Sequence, residues 1–345
     1  MNKRLQVIIK DPNKKSPFLI LKEVLIYMYI KRETPYYYFG KFLYRKKVSN
    51  FKDYLSWKET NLIAFSKKFN CYPYTSLLKN KLAFSLYCSE NNLPTPKLVS
   101  YNFGSSFFNM GQLSKIDTYK ELIAFFDTVL MKSKKTALFL KPVGASGGLG
   151  CILLKKETLS SQIEQHFKEL ISQDYIHQEL IIQHSEINKI NPNCINTLRF
   201  DTYIDNANKY HITSIFMRFG IGKSIVDNSS SGGFYVKVEL NDGRLNQTGV
   251  QLMKYGGKEF TMQPDTKFIF GGFKIPFFNE ACELVLKAVD YIPDKVIGWD
   301  IAITETGPIL VEGNNNNSIF VSDIAYGGLL KKPIFKEILF EAKNV

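Results

Sequence analysis

Two apolar runs near the C-terminal end constrain the fold of this chain most. They are Val296-Ile297-Gly298-Trp299-Asp300-Ile301-Ala302-Ile303-Thr304 and Pro308-Ile309-Leu310-Val311-Glu312-Gly313-Asn314, separated by Glu305-Thr306-Gly307. Apolar runs of this length around a glycine-bearing turn read as two antiparallel strands. Each run carries an acid where a buried strand should have none. A three-residue hairpin loop commonly ends in a glycine at positive φ, which suits Gly307. That loop pairs Thr304 with Pro308 and sets Asp300 directly opposite Glu312. It also puts Leu310, Glu312 and Asn314 on one face, and Trp299 on the face opposite Asp300, in the core. A two-residue loop would shift the register by one and separate the acids. Opposed carboxylates repel. A hard divalent cation such as Mg²⁺ removes that repulsion, and it prefers oxygen ligands from a few carboxylates and substrate phosphates. The alternative is a hairpin whose acids face water. The rest of the chain has to separate the two.

A second feature is Lys141-Pro142-Val143-Gly144-Ala145-Ser146-Gly147-Gly148-Leu149-Gly150, between the strand-like runs 137–141 and 151–155. Glycines let backbone N–H groups approach phosphate oxygens, and a nearby lysine adds charge. A P-loop is excluded, because Gly222-Lys223-Ser224 has Met217 where the first glycine belongs. A dinucleotide fingerprint is excluded too, since a strand rather than a helix follows the loop. A flexible hairpin without a ligand is the remaining alternative.

The chain has 345 residues, enough for two or three packed subdomains, and is 45% hydrophobic, which argues against disorder. Residues 1–75 read as helical, basic and aromatic. Leu21, Val24, Leu25, Met28 and Tyr29 recur at helical spacing, followed by Tyr36 to Lys47 with its aromatics and lysines. Such a segment either packs on the body with a solvated basic face or lies on a membrane surface. Residues 76–92 and 118–133 read as helices and 97–101 as a short strand. Helices at 158–171, 276–291 and 333–342 alternate with strands at 176–182, 197–204, 210–219 and 233–240. The mixture predicts an α+β fold with a largely antiparallel sheet.

The net charge of +13 favours an anionic partner. No nucleic-acid-reading motif accompanies it, so no nucleic-acid partner is expected. Five cysteines without Cys-x-x-Cys spacing, and four histidines without metal-site spacing, argue against disulfides and structural zinc. No apolar run reaches the ~18 residues of a membrane span, and no cleavage site follows residues 18–30. A cytoplasmic protein is expected, with the N-terminal basic segment as a candidate for peripheral contact with the inner, anionic membrane face.

On these motifs together the chain resembles the ATP-grasp superfamily, most closely its sugar-transfer-associated branch, over residues 76–330. Leu78-Lys79-Asn80-Lys81 is similar to the family's first nucleotide-facing lysine motif, and Phe139-Leu140-Lys141-Pro142 with its loop to the second lysine and phosphate flap. Gln178-Glu179-Leu180-Ile181 resembles the adenine hinge. Gln183-His184, Asn196-Thr197-Leu198-Arg199, Arg218-Phe219-Gly220 and Asp227-Asn228-Ser229-Ser230-Ser231-Gly232-Gly233 resemble the branch's own signature.

The resemblance implies two α+β subdomains clamping a nucleotide, with a helical N-terminal region at 1–75, a preceding subdomain at 76–135, a glycine-loop subdomain at 136–183 and a C-terminal subdomain at 184–345. It implies ATP held by Lys81, Lys141, Ser146, Gly147, Gly148, Gln178, Glu179, Leu180, Ile181 and Glu186. Mg²⁺ would sit on Asp300, Glu312 and Asn314, and chemistry would fall to Arg199, Arg218 and Asn228. The implied reaction joins a carboxylate to an amine through an acyl phosphate, on amino-acid, sugar or glycan substrates of surface polysaccharide synthesis. The alternative is phosphoryl transfer to a hydroxyl. One departure stands out. Many carboxylate–amine ligases of the superfamily carry an arginine two residues before the first metal aspartate, and here that position is Gly298. The missing charge is expected from Arg199 or Arg218.

Overall fold

The computed structural model describes residues 3–145, 147–227, 231–315 and 319–344. The N-terminal region is helical as expected, with α1 (Lys3–Lys10), α2 (Pro17–Lys31), α3 (Tyr36–Gly40) and α4 (Trp57–Ala64). Ser16 caps α2 with Pro17 in its first turn, and Ser56 and Glu59 form a capping box on α4. The aromatic segment after α2 packs its rings and two of its cations inward and leaves Lys46 and Lys47 exposed. Tyr38, Phe42, Leu43 and Tyr44 are buried. Lys41 ends in an ion pair with Asp323 at 2.6 Å, and Arg45 in one with Asp11 at 2.7 Å. A cation enters a core only with such a partner.

The stripe expected on α2 also turns the other way. Leu21, Leu25, Met28 and Tyr29 are exposed, and Glu23 and Tyr27 are buried. Glu23 is drawn inward because Lys15 Nζ and the Tyr38 hydroxyl both donate to it at 2.6 Å. The single helix expected over 76–92 is two, α5 (Tyr72–Lys79) and α6 (Lys81–Glu90). Asn80 breaks it, because its side chain accepts from Ala83 N at 3.0 Å and caps the second helix. Lys81 therefore opens α6.

Next come β1 (Leu98–Phe103), β2 (Ser106–Asn109), β3 (Gln112–Lys115), α7 (Tyr119–Ser133), β4 (Ala137–Pro142), β5 (Ile152–Lys155), α8 (Leu159–Ser172) and β6 (Tyr175–Glu179). The six strands form one antiparallel sheet in the order β3-β2-β1-β6-β4-β5, which runs across the division expected between residues 135 and 136. The apolar face of α7 (Leu122, Phe126, Val129, Leu130) and Ile163 of α8 pack with Leu138, Leu140 and Leu154 of the sheet. The β2 and β3 strands were not anticipated, being four residues each with little alternation.

The remainder is α9 (Ser185–Ile190), β7 (Leu198–Ile204), β8 (Tyr210–Phe219), β9 (Phe234–Val238), β10 (Leu245–Gln251), β11 (Glu259–Phe260), α10 (Phe278–Tyr291), β12 (Val296–Thr304), β13 (Gly307–Asn314), α11 (Ile319–Ala325) and α12 (Pro333–Lys343). Seven antiparallel strands lie in the order β11-β10-β9-β8-β7-β12-β13. Ala281, Leu284, Val285, Ala288 and Val289 of α10 cover one face with Phe200, Ile297 and Trp299. On the other face Phe216 and Tyr235 meet Val321 of α11. The protein is α+β, with two antiparallel sheets.

Candidate functional site

A cleft of about 840 Å³ is lined by both sheets and by Leu78, Lys79 and Lys81 from the α5–α6 junction. Its floor is the hairpin of β12 and β13. Asp300 and Glu312 do face each other, but by a different route from the one the sequence suggests. Thr304 pairs with Gly307, so the loop is only Glu305-Thr306, with Gly307 at φ +124°. That alone would separate the acids. A bulge corrects it, since Ile301 pairs with Leu310 and Asp300 with Glu312, leaving Val311 as the extra residue. The bulge also overturns the expectation that Leu310 shares a face with Glu312. Leu310 lies in the core with Ile301, while Glu312 and Asn314 line the cleft. The main-chain N–H of Leu310 donates to Pro94 O at 2.7 Å, a contact from outside the sheet that anchors the bulge.

Asp300 is buried and doubly paired. Arg199, its cross-strand neighbour on β7, grips it through Nε at 2.5 Å and Nη2 at 3.1 Å. Arg218 on β8 adds Nη2 at 3.0 Å. Burial would raise the Asp300 carboxyl, but the two guanidinium groups outweigh it and hold it below the usual carboxylate range. Arg218 continues the chain of charge. It donates to Thr197 Oγ1 and lies 3.5 Å from Asp227, whose Oδ2 accepts from Thr197 N at 2.7 Å and Oγ1 at 2.6 Å. Burial opposes the charge on Arg218, yet Asp227 and Asp300 push its pKa up. Desolvation raises the Asp227 carboxyl, against the pull of Arg218.

Gly298 has a role in this network. A Cβ there would sit 3.2 Å from Arg199 Nη1 and 3.3 Å from its Cδ. The Arg199 side chain thus lies against the space that a side chain at 298 would take. A cation reaches this end of the site from β7 rather than from β12.

Lys81 and Lys141 approach from the other side. Lys81 Nζ donates to Ala145 O in the glycine loop and lies 3.2 Å from Glu312. Burial pushes the pKa of Lys141 down, and the Glu312 charge opposes this. The flap is set against the larger sheet. Gly147 and Gly148 take φ of +72° and +76°, and a Cβ on Gly148 would stand 2.8 Å from Val226. Gly147 O also accepts from Ser231 Oγ at 3.3 Å. Gln178, Glu179, Leu180 and Ile181 line the cleft as one strip. Gln178 Nε2 donates to Pro96 O at 3.1 Å, and its Oε1 is buried without a partner.

Three of the expected residues are not brought to the cleft by the described structure. Ser146 and Asn228 lie outside the described residues. Glu186 is not among the lining residues. It sits half-exposed in the first turn of α9, where a carboxylate suits the helix dipole, and pairs with Lys189 at 2.6 Å. Parts of the signature prove to be scaffold. Gln183 Oε1 accepts from Asn196 N at 2.6 Å, and Asn191 Nδ2 donates to Asn196 Oδ1 at 3.0 Å, so buried amides fix the loop leading to Thr197. His184 accepts from Glu186 N and caps α9.

Thr197 and Asp227 stand within the motifs that carry the resemblance, but no role in the site was assigned to either from the sequence. Among the described residues no cluster of three or more His, Cys, Asp and Glu side chains gathers for a metal. The candidate ligand oxygens here come instead from two opposed carboxylates and the Asn314 side-chain amide, all lining the cleft. That oxygen-bearing set fits a hard divalent cation completed by phosphate oxygens.

The family described as sugar-transfer associated ATP-grasp matches residues 61–337. No curated protein matches the sequence. Among solved structures, D-alanyl-alanine synthetase A from Vibrio cholerae O1 biovar eltor aligns at 11% identity over 79% of this chain and 66% of its own, with TM-score 0.44. D-Alanine–D-alanine ligase from Bacillus anthracis aligns at 11% over 78% and 70%, with TM-score 0.43. The ATP-grasp ligase PsnB, complexed with minimal precursor, Mg and ADP, aligns at 11% over 80% and 62%, with TM-score 0.40. This chain spans under two thirds of the PsnB chain and about two thirds of the V. cholerae one.

Proposed function

The chain belongs to the sugar-transfer associated ATP-grasp family, and we propose that it is an ATP- and Mg²⁺-dependent ligase joining a carboxylate to an amine in cell-surface polysaccharide synthesis. One observation carries the reading. Two lysines, a glycine flap, an opposed pair of acids and a pair of arginines converge on a single cleft. The glycan assignment rests on the family's description.

In the proposed reaction a substrate carboxylate oxygen attacks the γ-phosphorus of ATP. The bond to the bridging oxygen breaks and ADP leaves with its electrons. The amine nitrogen then attacks the acyl carbon, the acyl–phosphate bond breaks, and phosphate departs while the amine loses a proton to solvent. Lys81 and Lys141 neutralise phosphate oxygens. Asp300, Glu312 and Asn314 would hold Mg²⁺, which would supply charge screening at the phosphates. Arg199 and Arg218, already oriented by Asp300 and Thr197, face the transferring group. Planar, fixed guanidinium groups suit oxyanion contacts. The flap at 144–150 covers the cleft and keeps water from an acyl phosphate.

The test is incubation with MgATP, amino acids, and amino and carboxylated sugars, read by mass spectrometry. A product equal to the two substrates less water supports ligation. A product heavier by one phosphate indicates a kinase on the same site. AMP in place of ADP overturns the proposal.

A further inference from the structure

The longest run of exposed apolar side chains in the N-terminal region lies on α2, outside the cleft. Phe18 is 80% exposed, Leu25 59% and Tyr29 86%, with Leu21 and Met28 also in solvent. At 100° per residue, positions 18, 21, 25, 28 and 29 form one stripe along the helix, Lys22 falls on the same side, and Arg32 follows as the left-handed C-cap. The opposite side packs Ile20, Val24 and Tyr27 into the N-terminal core. The helix is therefore apolar on both faces, one packed on the N-terminal core and the outer one without cover within the described chain. Continuous apolar stripes of this kind mark an interaction surface.

The charges on that surface are all of one sign. Lys22 and Arg32 are exposed, as is Lys58 beside the end of the helix, where its Nζ donates to Arg32 O. The two acids of the segment are turned away. Glu23 is held inside by Lys15 and Tyr38, and Glu33 accepts from Trp57 N and Lys58 N at 2.9 Å each. Trp57, half exposed, lies next to this end of α2.

We propose that this face of α2 lies on an anionic lipid surface. The fifteen-residue helix is about 22 Å long at 1.5 Å per residue, too short to cross a ~30 Å hydrocarbon layer. Lying in the plane, it buries Phe18, Leu21 and Leu25 at the acyl boundary. Tyr29 and Trp57 sit at headgroup level, where amphipathic rings are favoured. Lys22 and Arg32 reach up to lipid phosphates. Charge also decides against a second copy of this chain as the occupant. Each carries +13, and pairing two such faces would oppose cation to cation.

The test is flotation of the full chain with vesicles of phosphatidylcholine alone or with roughly one third phosphatidylglycerol. Binding is expected only to the anionic vesicles, weakening as salt rises. Leu25→Asp and, separately, Phe18→Ser are expected to reduce binding at least tenfold with unchanged thermal melting. Glu312→Gln, which loses ATP turnover at little cost in stability, is expected to float like the parent, which separates this proposal from the nucleotide reading. No flotation at low salt overturns the proposal, as does flotation that survives both α2 variants. A dimer in sedimentation that Leu25→Asp converts to monomer also overturns it, assigning the face to a second copy.

Discussion

On the six-stranded sheet the cation facing the cleft, Lys141, is half-buried and makes no ion pair among the described residues. On the seven-stranded sheet the facing charges neutralise one another, with Asp300 shared by Arg199 and Arg218 and Asp227 behind them. The first sheet also carries the glycine flap, and the second carries its polar groups on adjacent central strands. The difference teaches a division of labour. A side that receives phosphate leaves positive charge uncompensated and its backbone adaptable. A side that must hold a reacting group in place ties its charges to each other, so that orientation is settled before anything binds.

The strongest way to break this comparison is Asp300→Asn. Sequence alone treats it like Glu312→Gln, as a loss of ATP turnover with the fold intact. The structure separates the two. Removing the Asp300 charge leaves two buried guanidinium groups short of a partner, so turnover is expected to vanish and stability to fall by about 3–5 kcal/mol. Denaturant unfolding measures this; an unchanged midpoint would mean that the buried network contributes nothing.

A second measurement probes the smaller sheet. His177 is buried there, bonded to Ser100 at 2.8 Å and Asn102 at 3.1 Å. Burial pulls its pKa from 6.5 down to about 3. A folded-state pKa below the unfolded one gives stability that is complete above pH 6.5 and is lost as pH falls toward 3, at about 1.4 kcal/mol per unit. At pH 5 the loss is therefore about 2 kcal/mol. Thermal melting between pH 7 and 5 is expected to drop in the parent and to flatten in His177→Gln, while equal slopes would discount His177.

Gly148→Ala tests the flap. At φ +76° with Val226 against the new methyl, it is expected to cost about 1 kcal/mol and to raise the KM for ATP severalfold more than it lowers kcat. A purely structural flap would leave KM unchanged. The smallest stability effect belongs to Glu312→Gln, which has one partner, Lys81, and partial exposure. Its stability to denaturant should fall by less than about 1 kcal/mol while ATP turnover is lost. A large drop in stability would place Glu312 with the fixed network instead.

Much of the site could be read in the sequence because its parts are local. Lys141 with its glycines, the 178–181 strip and the two acids each lie within one short segment, and the cleft gathers them. Glu186 failed because a position counted from Glu179 says nothing about direction, and α9 turns it outward. Thr197 and Asp227 were given no role because their importance comes from Arg218, a residue distant in sequence. The direction of the N-terminal stripe was not legible, because periodicity finds an apolar face without saying which way it points. Two buried polar contacts to Glu23 decided that.

Sequence by itself determined that there would be an antiparallel hairpin, a glycine loop between strands and an acid on each hairpin strand. Alternation, turn residues and composition act over a few residues and survive any packing. It did not determine how the acids meet. The two-residue loop alone would have parted them, and a bulge at Val311 brings them together again. That bulge satisfies Leu310 in the core, Glu312 in the cleft and the Leu310 N–H on Pro94 at once. Only the tertiary structure could choose it, because each of the three demands comes from a different part of the chain.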